Sequence, residues 1–259
     1  MNLLGERPLG FVAREAVRPS NWRALARVPR CYPHPGECAW RYFSGRGAYP
    51  YRCELRTPSG KVTPTLFSHH DMITVNEIFC RRDYSAGPEL EVAVDIGSNI
   101  GISALYFLTR SPRARVWLHE PVPTNVERLR SNLSEFEGRW RLDEAAVAER
   151  NGQADFAIEP SGRYGGLRAE HAESIQVRVR HIDSVLAEVL ERERRIDVLK
   201  IDTEGTEART LSSASPELLS RVGTIFAEDF GGEFGELHGF DATRRANVLR
   251  LTNSRAAPG

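Results

Sequence analysis

The sequence predicts an α/β fold built on a doubly wound, mostly parallel β-sheet. Residues 92–94 form an apolar, β-branched run that ends at Asp95, a pattern typical of a strand buried on both faces of a parallel sheet. Gly97 and Gly101 follow in a short turn, and residues 100–108 are apolar enough to form a helix that packs back on that strand. Strand-like and helix-like segments then continue to alternate along the chain, as an α/β fold requires.

The residues before this strand are harder to interpret. Six prolines between residues 19 and 58 interrupt any long helix in this region. We interpret residues 1–64 as an N-terminal extension or cap and residues 65–259 as the main domain. A helix is expected at residues 73–80.

The elements after the glycine turn are predicted in order from their apolar spacing and turn residues. A second strand is expected at residues 115–120, and a helix at 124–133 follows it. The remaining expected elements are a third strand within residues 140–148, two antiparallel strands at 153–158 and 174–180, a helix at 183–192, a strand that begins at residue 196, a helix at 207–214, a short helix near residue 216, a strand at 222–228 and a final helix at 241–251.

Composition limits the classes of function. The 35 basic and 35 acidic residues give no net charge, so the sequence does not favour nucleic-acid or membrane partners. It contains no continuous apolar segment typical of a secretory signal or a membrane span, and we expect a soluble, cytoplasmic protein. The oligomeric state stays open. The four cysteines show no C-x-x-C spacing, so free and partly buried thiols are expected rather than a zinc site.

The spacing of the glycine turn bears on its ligand. The stretch from Asp95 to Gly101 reads D-x-G-x-N-x-G, which lacks the middle glycine of the dinucleotide pattern G-x-G-x-x-G. A carboxylate before the first glycine would repel a diphosphate, but it can accept hydrogen bonds from a cationic ammonium group. The pattern therefore favours S-adenosylmethionine over NAD. A plain βα turn without a ligand is the alternative.

Two further strand ends carry candidate residues. Glu120 ends the second strand at the separation from the turn that suits a carboxylate binding two ribose hydroxyls; a solvated acid is the alternative. Glu144 precedes small residues that suit an adenine ring. Lys200, Asp202 and Glu204 alternate on one side at the end of a core strand, where buried charges need partners. They are expected to form a charged cluster beside the ligand, or else a purely structural network of ion pairs.

The sequence resembles the FkbM family of S-adenosylmethionine-dependent methyltransferases. The likeness lies in residues 75–84, in the turn from Val94 to Gly101, and in residues 197–207, whose last part reads Asp202-Thr-Glu-Gly-Thr-Glu207. The resemblance implies a class I methyltransferase (Rossmann-like) fold with a seven-stranded sheet. It also implies methyl transfer to a hydroxyl oxygen of a small molecule, such as a polyketide, a sugar or another natural product.

The resemblance also suggests site residues. The residues expected to bind the cofactor are Glu77, Asp95, Gly97, Ser98, Asn99, Gly101, Glu120, Glu144 and Asp202. The residues expected at the reaction centre are Asp202, Glu204 and a histidine, His70 in the first instance, with His69 and His238 as alternatives. No dedicated metal site is predicted, although a divalent cation held by Asp202 and Glu204 with Glu228 or Asp229 stays open, since hard cations prefer carboxylate oxygens.

Such an enzyme would hold the hydroxyl oxygen, the methyl group and the sulfur in line while a base removes the proton of the hydroxyl. Two other functions are weighed against this one. An NAD-dependent oxidoreductase would share the doubly wound sheet, but the glycine spacing disfavours it. A nucleoside-binding module without catalysis is disfavoured by the retained acidic residues Asp95, Glu120 and Asp202.

Overall fold

The computed structural model describes residues 19–158, 165–166, 173–203, 205–228, 234 and 237–254. Its contacts divide the chain into two compact units, Met1–Ser85 and Ala86–Gly259. This division falls after Ser85 rather than after residue 64. Residues 65–85 join the first unit because the π-helix Asn76–Arg81 packs against the helix Pro19–Cys31.

The first unit is mainly helical. Its helices are α1 (Pro19–Cys31), α2 (Pro35–Ser44) and α3 (His69–Val75), and α3 continues directly into the π-helix. Two short antiparallel ladders lie between them in the chain: β1 (Tyr51–Arg52) pairs with β4 (Thr65–Leu66), and β2 (Leu55–Thr57) pairs with β3 (Gly60–Val62). The helix expected at residues 73–80 is present but begins earlier, because Ser68 and Asp71 form a capping box at the start of α3.

The second unit contains the predicted seven-stranded, mostly parallel sheet. Its strands are β5 (Val92–Ile96), β6 (Arg115–His119), β7 (Trp140–Asp143), β12 (Ile196–Ile201), β13 (Val222–Glu228), β14 (Phe240–Arg245) and β15 (Val248–Asn253). Their spatial order is β14-β15-β13-β12-β5-β6-β7; β15 pairs antiparallel with both of its neighbours, β13 and β14, and the other pairs are parallel. This doubly wound α/β arrangement confirms the fold class expected from the sequence.

In the described part of this unit, a short 3₁₀-helix (Ser134–Phe136) and five α-helices lie between these strands in the chain: α4 (Ile102–Leu108), α5 (Pro123–Asn132), α6 (Ile182–Arg192), α7 (Glu207–Ser212) and α8 (Pro216–Leu219). Every residue of β5 is buried, as the apolar run predicts for a strand covered on both faces. Two charged residues, Asp95 and Lys200, are buried on neighbouring strands in this core. Buried charges of this kind need partners inside the protein.

A second sheet of four strands is inserted after β7. Its order is β10-β9-β11-β8, made from β8 (Ala146–Ala148), β9 (Gly152–Ile158), β10 (Gly165–Gly166) and β11 (Glu173–His181). The antiparallel pairing of β9 with β11 confirms the two strands predicted at residues 153–158 and 174–180. The region 140–148, which was expected to hold one strand, contains both β7 and β8.

The final helix predicted at residues 241–251 is wrong. This segment forms the β14–β15 hairpin, and Ala246 in its turn has a positive φ of 56°. Leu249 and Leu251 are buried on β15, which pairs antiparallel with β13. The hydrogen bonds and burial supplied by that distant strand outweigh the local apolar spacing, which is a weak guide for half-buried strands.

Candidate functional site

The turn after β5 depends on two glycines. Gly97 and Gly101 have φ values of +76° and +87°, in the left-handed region that favours glycine. A Cβ added to Gly97 would lie 1.9 Å from the backbone oxygen of Asp202, so the turn runs directly against the residue that follows β12. A Cβ added to Gly101 would lie 3.2 Å from Cγ of Leu129. Packing therefore requires glycine at Gly97, with or without a ligand.

Hydrogen bonds join this turn to the end of β6. The N–H groups of Gly97 and Ser98 both donate to the carbonyl oxygen of His119, at 3.0 and 3.1 Å. The hydroxyl of Ser98 donates to the carbonyl oxygen of Asp95 at 2.8 Å, and Ser98 is only 2% exposed. The hydroxyl of Ser98, which the sequence predicts to bind a cofactor, therefore makes this hydrogen bond within the turn itself.

Lys200 joins two carboxylates beneath the turn. Its Nζ lies 3.1 Å from Oδ1 of Asp95 and 3.3 Å from Oδ2 of Asp202. Burial disfavours the charged ammonium, but the two carboxylates outweigh that effect and raise the pKa of Lys200 above its usual value. The charged cluster predicted at the end of this strand is thus present for Lys200 and Asp202, and it also includes Asp95. Glu204 lies outside the described residues.

The two carboxylates of this cluster differ in their access to solvent. Asp95 is fully buried, and its Oδ2 accepts a hydrogen bond from the hydroxyl of Ser103 at 2.5 Å. Lys200 also donates from Nζ to the carbonyl oxygen of Gly97 at 2.6 Å. The side chain of Asp202, in contrast, is 26% exposed. Asp95 therefore faces its protein partners, whereas Asp202 is the carboxylate of the pair that reaches the surface.

Glu120 connects the end of β6 to the glycine turn. Its Oε2 accepts the N–H of Asn99 at 2.8 Å, and its Oε1 accepts the N–H of Val122 at 3.0 Å and the side-chain amide of Asn125 at 3.3 Å. Burial raises the pKa of Glu120, although these hydrogen bonds oppose the effect. Since each carboxylate oxygen accepts about two hydrogen bonds, Oε2 has one further acceptor position.

A buried carboxylate organises the loop that follows β12. One oxygen of Glu207, Oε1, accepts the N–H of Thr203 at 2.7 Å, and its Oε2 accepts the N–H of Gly205 at 2.9 Å. The hydroxyls of Thr203 and Thr206 form a hydrogen bond of 2.9 Å across the same loop. Glu207 is only 3% exposed, so its carboxylate is buried against the backbone N–H groups that it accepts. These bonds fix the backbone that follows Asp202.

The sequence analysis did not single out Ser103 or Glu207 as site residues. Ser103 is the one hydroxyl residue between Gly101 and Tyr106 in an otherwise apolar segment, which is a signal that its hydroxyl has a partner. Glu207 follows the acidic motif and begins α7, where a glutamate commonly accepts N–H groups of the preceding turn. Both signals are visible in the sequence, but neither identifies the partner.

The other predicted residues have different surroundings. The side chain of Glu144 is 53% exposed and pairs with Arg130 at 2.9 Å. His70 and Glu77 belong to the first unit, where Glu77 pairs with Arg81 at 3.0 Å. Their assignment to a catalytic or binding role stays a prediction.

The described site combines three carboxylates with one ammonium. Asp95, Asp202 and Glu120 lie at the carboxyl ends of the neighbouring strands β5, β12 and β6, and Lys200 is the cation among them. Open α/β sheets bind ligands at this edge. The excess of negative charge favours a cationic ligand over a diphosphate.

The described residues contain no group of three or more histidines, cysteines and acids close enough to hold a metal ion. Two of the residues considered for a divalent cation, Glu204 and Asp229, lie outside the described residues. Within the described part of the chain, no helix has the length and apolar character needed to cross a membrane.

Comparison with known proteins relates this chain to a family. A model described as "Methyltransferase FkbM domain" matches residues 95–248, more than half of the chain. The 31-O-demethyl-FK506 methyltransferase FkbM of Streptomyces tacrolimicus is 27% identical over 75% of this chain and 91% of its own length.

Two other relatives match over smaller shares. The 2-O-methyltransferase NoeI of Sinorhizobium fredii is 30% identical over 53% of this chain and 62% of its own length. The AMB antimetabolite synthetase AmbE of Pseudomonas aeruginosa is 25% identical over 76% of this chain, which spans only 12% of the length of that synthetase.

Proposed function

This chain belongs to the FkbM methyltransferase family, and we propose that it transfers the methyl group of S-adenosylmethionine to a hydroxyl oxygen of a small molecule. One observation supports the proposal most directly. Three neighbouring parallel strands end in carboxylates around a glycine turn, and the excess of negative charge there suits a sulfonium nucleoside. The proposed acceptor is a natural product, a polyketide or a sugar.

The residues present fit the proposed donor. The remaining acceptor position on Oε2 of Glu120 suits a ribose hydroxyl, because among the described residues this oxygen accepts only the N–H of Asn99. The partly exposed carboxylate of Asp202 suits the ammonium group of the methionine moiety. Gly97 and Gly101 allow close approach of the backbone. S-adenosylmethionine, when bound, supplies an electrophilic methyl group on a sulfonium.

The chain has two tasks in such a reaction. The site must orient the acceptor oxygen toward the methyl group and exclude water, and a base must accept the proton of the hydroxyl as the new bond forms. Asp202, Glu204 and His70 are the proposed candidates for the base. A divalent cation held by Asp202 and Glu204 is the alternative way to lower the affinity of the hydroxyl for its proton.

The names of two relatives support a hydroxyl as the acceptor. The matched proteins FkbM and NoeI are named as O-methyltransferases for position 31 of demethyl-FK506 and for a 2-hydroxyl position. We include a cytoplasmic location in the proposal, since all four cysteines are free thiols, as in proteins of a reducing compartment.

The first test is of ligand class. Calorimetry with S-adenosylhomocysteine and with NADH should show binding of the former alone; binding of NADH alone would assign the site to a dehydrogenase. Glu120→Gln should weaken S-adenosylhomocysteine binding by about tenfold, which corresponds to about 1.4 kcal/mol for one hydrogen bond to a charged group.

The second test is of turnover. Mass spectrometry should detect a product heavier by one methyl group after incubation with S-adenosylmethionine and hydroxylated metabolites. At a subsaturating concentration of S-adenosylmethionine, Asp202→Asn should lower turnover, because the lost carboxylate would either hold the donor or accept the proton. Asp241→Asn, on the exposed face of the edge strand β14, is the matched control and should leave turnover unchanged. Unchanged turnover in Asp202→Asn with the cofactor still bound would exclude a role for that carboxylate, and activity that survives chelation would exclude the metal.

A further inference from the structure

A cleft of about 710 Å³ lies in the second unit. Strands β6, β7 and β11 and helix α6 all contribute residues to its lining. The described lining contains none of the charged residues around the glycine turn, which are Asp95, Glu120, Lys200 and Asp202. A cleft of this volume can hold a small organic molecule. The proposed methyl transfer does not use it.

The register of the main sheet sets one wall of the cleft. Trp117 of β6 lies opposite Arg141 of β7, and His119 lies opposite Asp143. Because residues two apart in a strand share one face of the sheet, these two pairs are neighbours on the same face. All four residues line the cleft. This wall therefore offers an indole ring, a guanidinium, an imidazole and a carboxylate.

The carboxylates of the cleft are already paired with arginines of β11. Arg180 donates from Nη1 to Oδ2 of Asp143 at 2.8 Å and to Oε2 of Glu188 at 2.7 Å. Arg178 forms an ion pair with Oδ1 of the same aspartate. These contacts neutralise both acids of the described lining, so neither acid is left to neutralise a further cation.

Two more arginines lie at the ring of Trp117. The guanidinium carbon of Arg141 is 5.2 Å from the centroid of this ring, and that of Arg192, the last residue of α6, is 5.9 Å from it. The negative face of an indole attracts guanidinium groups at such distances. Neither arginine forms an ion pair with a described residue. The buried indole of Trp117 thus holds two positive charges at the cleft that no described carboxylate neutralises.

His119 adds an unsatisfied polar atom to the same wall. Its side chain is buried, and its Nδ1 has no hydrogen-bond partner among the described residues. Burial, and after it the nearby Arg180, lowers the pKa of His119 to about 3, so the imidazole is neutral. A neutral imidazole can carry its proton on Nδ1 and donate it. Since buried polar atoms normally have a partner, this one favours a ligand with a polar group.

We propose that this cleft binds a small phosphate monoester and that Arg141 and Arg192 are the cations that recognise its phosphate. The four guanidiniums of β7, β11 and α6 outnumber the two carboxylates by two. A phosphate monoester carries about two negative charges at neutral pH, which matches that surplus. The planar fork of a guanidinium also fits phosphate oxygens. The volume leaves room for an organic group beyond the phosphate.

Calorimetry with a matched series of sugars tests the charge of the ligand. Glucose 6-phosphate should bind with a stoichiometry of one and about tenfold more tightly than glucuronate, which has one charge fewer, and glucose should not bind. Phenyl phosphate is tested in parallel as a monoester with a different organic group, and binding of either ester supports the proposal. Glucuronate that binds as tightly as both esters would overturn it, as would no saturable binding of either ester. Inorganic phosphate that binds as tightly as the esters would mean an adventitious ion only.

Substitution of the two unpaired arginines tests the location. Arg141→Gln and Arg192→Gln should each weaken binding of the ester by about tenfold, the loss expected for one hydrogen bond to a charged group. The matched control is Arg113→Gln, whose side chain is 70% exposed and pairs with Glu91, and it should leave the affinity unchanged. Circular dichroism checks that each variant is folded, and if one does not fold, the other decides. Wild-type affinity in a folded variant would remove that arginine from the site, and wild-type affinity in both would overturn the location.

Competition separates the cleft from the glycine turn. The phosphate monoester should stay bound when S-adenosylhomocysteine is added to saturation, because no residue of the charged cluster around the turn lines the cleft. Displacement of the ester would overturn a separate site. If S-adenosylhomocysteine itself does not bind, the proposed function fails, whereas the affinity for the ester and its loss in the arginine variants still decide this proposal.

Discussion

Replacing Gly97 with alanine separates two reasons why the turn needs glycine. The first is backbone conformation, because the φ of +76° is unfavourable for any residue with a Cβ. The second is contact, because the added Cβ would lie 1.9 Å from the carbonyl oxygen of Asp202. Gly138 offers a matched control. It has a φ of +83°, yet a Cβ there would have no atom within 4 Å.

The expected magnitudes follow from this difference. The left-handed conformation costs an L-residue about 1–2 kcal/mol, and Gly138→Ala should lower the free energy of unfolding by that amount. Gly97→Ala adds the displacement of a packed backbone, which costs about 1–3 kcal/mol more. Its total loss of about 2–5 kcal/mol is a large share of the stability of a typical domain. The displaced turn should also weaken S-adenosylhomocysteine binding at least tenfold.

Urea unfolding followed by circular dichroism measures the first quantity, and calorimetry measures the second. The two alanine variants and the wild-type protein are compared in the same buffer. Equal losses of stability in Gly97→Ala and Gly138→Ala would refute the contact between the turn and the residue after β12. Normal cofactor affinity in a folded Gly97→Ala protein would refute the position of the turn at the binding site.

Three other predictions concern buried polar groups. Lys200→Met should lower the free energy of unfolding by about 3–5 kcal/mol, since it leaves the carboxylate of Asp95 buried without its cation. Glu207→Ala should lower turnover more than cofactor affinity, and Glu207→Gln should restore part of it, because the loop after β12 loses its acceptor. Burial lowers the pKa of His119 to about 3, so this histidine stays neutral in the folded protein. The free energy of unfolding is therefore unaffected by its titration well above pH 6.5, the unfolded value, and falls as the pH drops below 6.5, because only the unfolded chain takes up the proton. Wild-type protein should therefore lose about 2 kcal/mol more than His119→Gln between pH 6.5 and 5 in urea unfolding.

Each of these predictions has a contradicting result. A Lys200→Met protein as stable as wild type would mean that Asp95 does not need Lys200 as its partner in the folded protein. Equal losses in both Glu207 variants would assign that residue to stability alone. Parallel loss of stability on acidification for wild type and His119→Gln would mean that this histidine is also shielded in the unfolded chain.

The sheet could be predicted because its strands carry a local signal. The apolar runs that form β5 and β6 are short, lie between turns, and are buried on both faces. Both can therefore be recognised as buried strands from their own residues alone. The β14–β15 hairpin has no such signal. Only β15 joins it to the rest of the sheet, by pairing with β13, which lies more than ten residues earlier in the chain, and no window of sequence around residues 241–251 contains that partner.

The site was predictable only in outline. Carboxylates at the ends of parallel strands can be located from the sequence, since the topology brings those ends to one edge. Whether such a carboxylate is buried depends on its partners, which are distant in the chain. Asp95 is enclosed by Ser103 and Lys200, whereas Glu144 turns outward to Arg130. No spacing rule contains that information.

The Lys200 bridge also bears on the roles of its two carboxylates. Nζ of Lys200 lies 3.3 Å from Oδ2 of Asp202, so this carboxylate already binds one ammonium group at the edge of the site. Asp202 is therefore better suited to bind a cationic ammonium than to act as the base. On this reasoning Asp202→Asn should raise the KM for S-adenosylmethionine more than it lowers kcat, whereas loss of a base would lower kcat at saturating donor. A kcat that falls with an unchanged KM would return the proton transfer to Asp202.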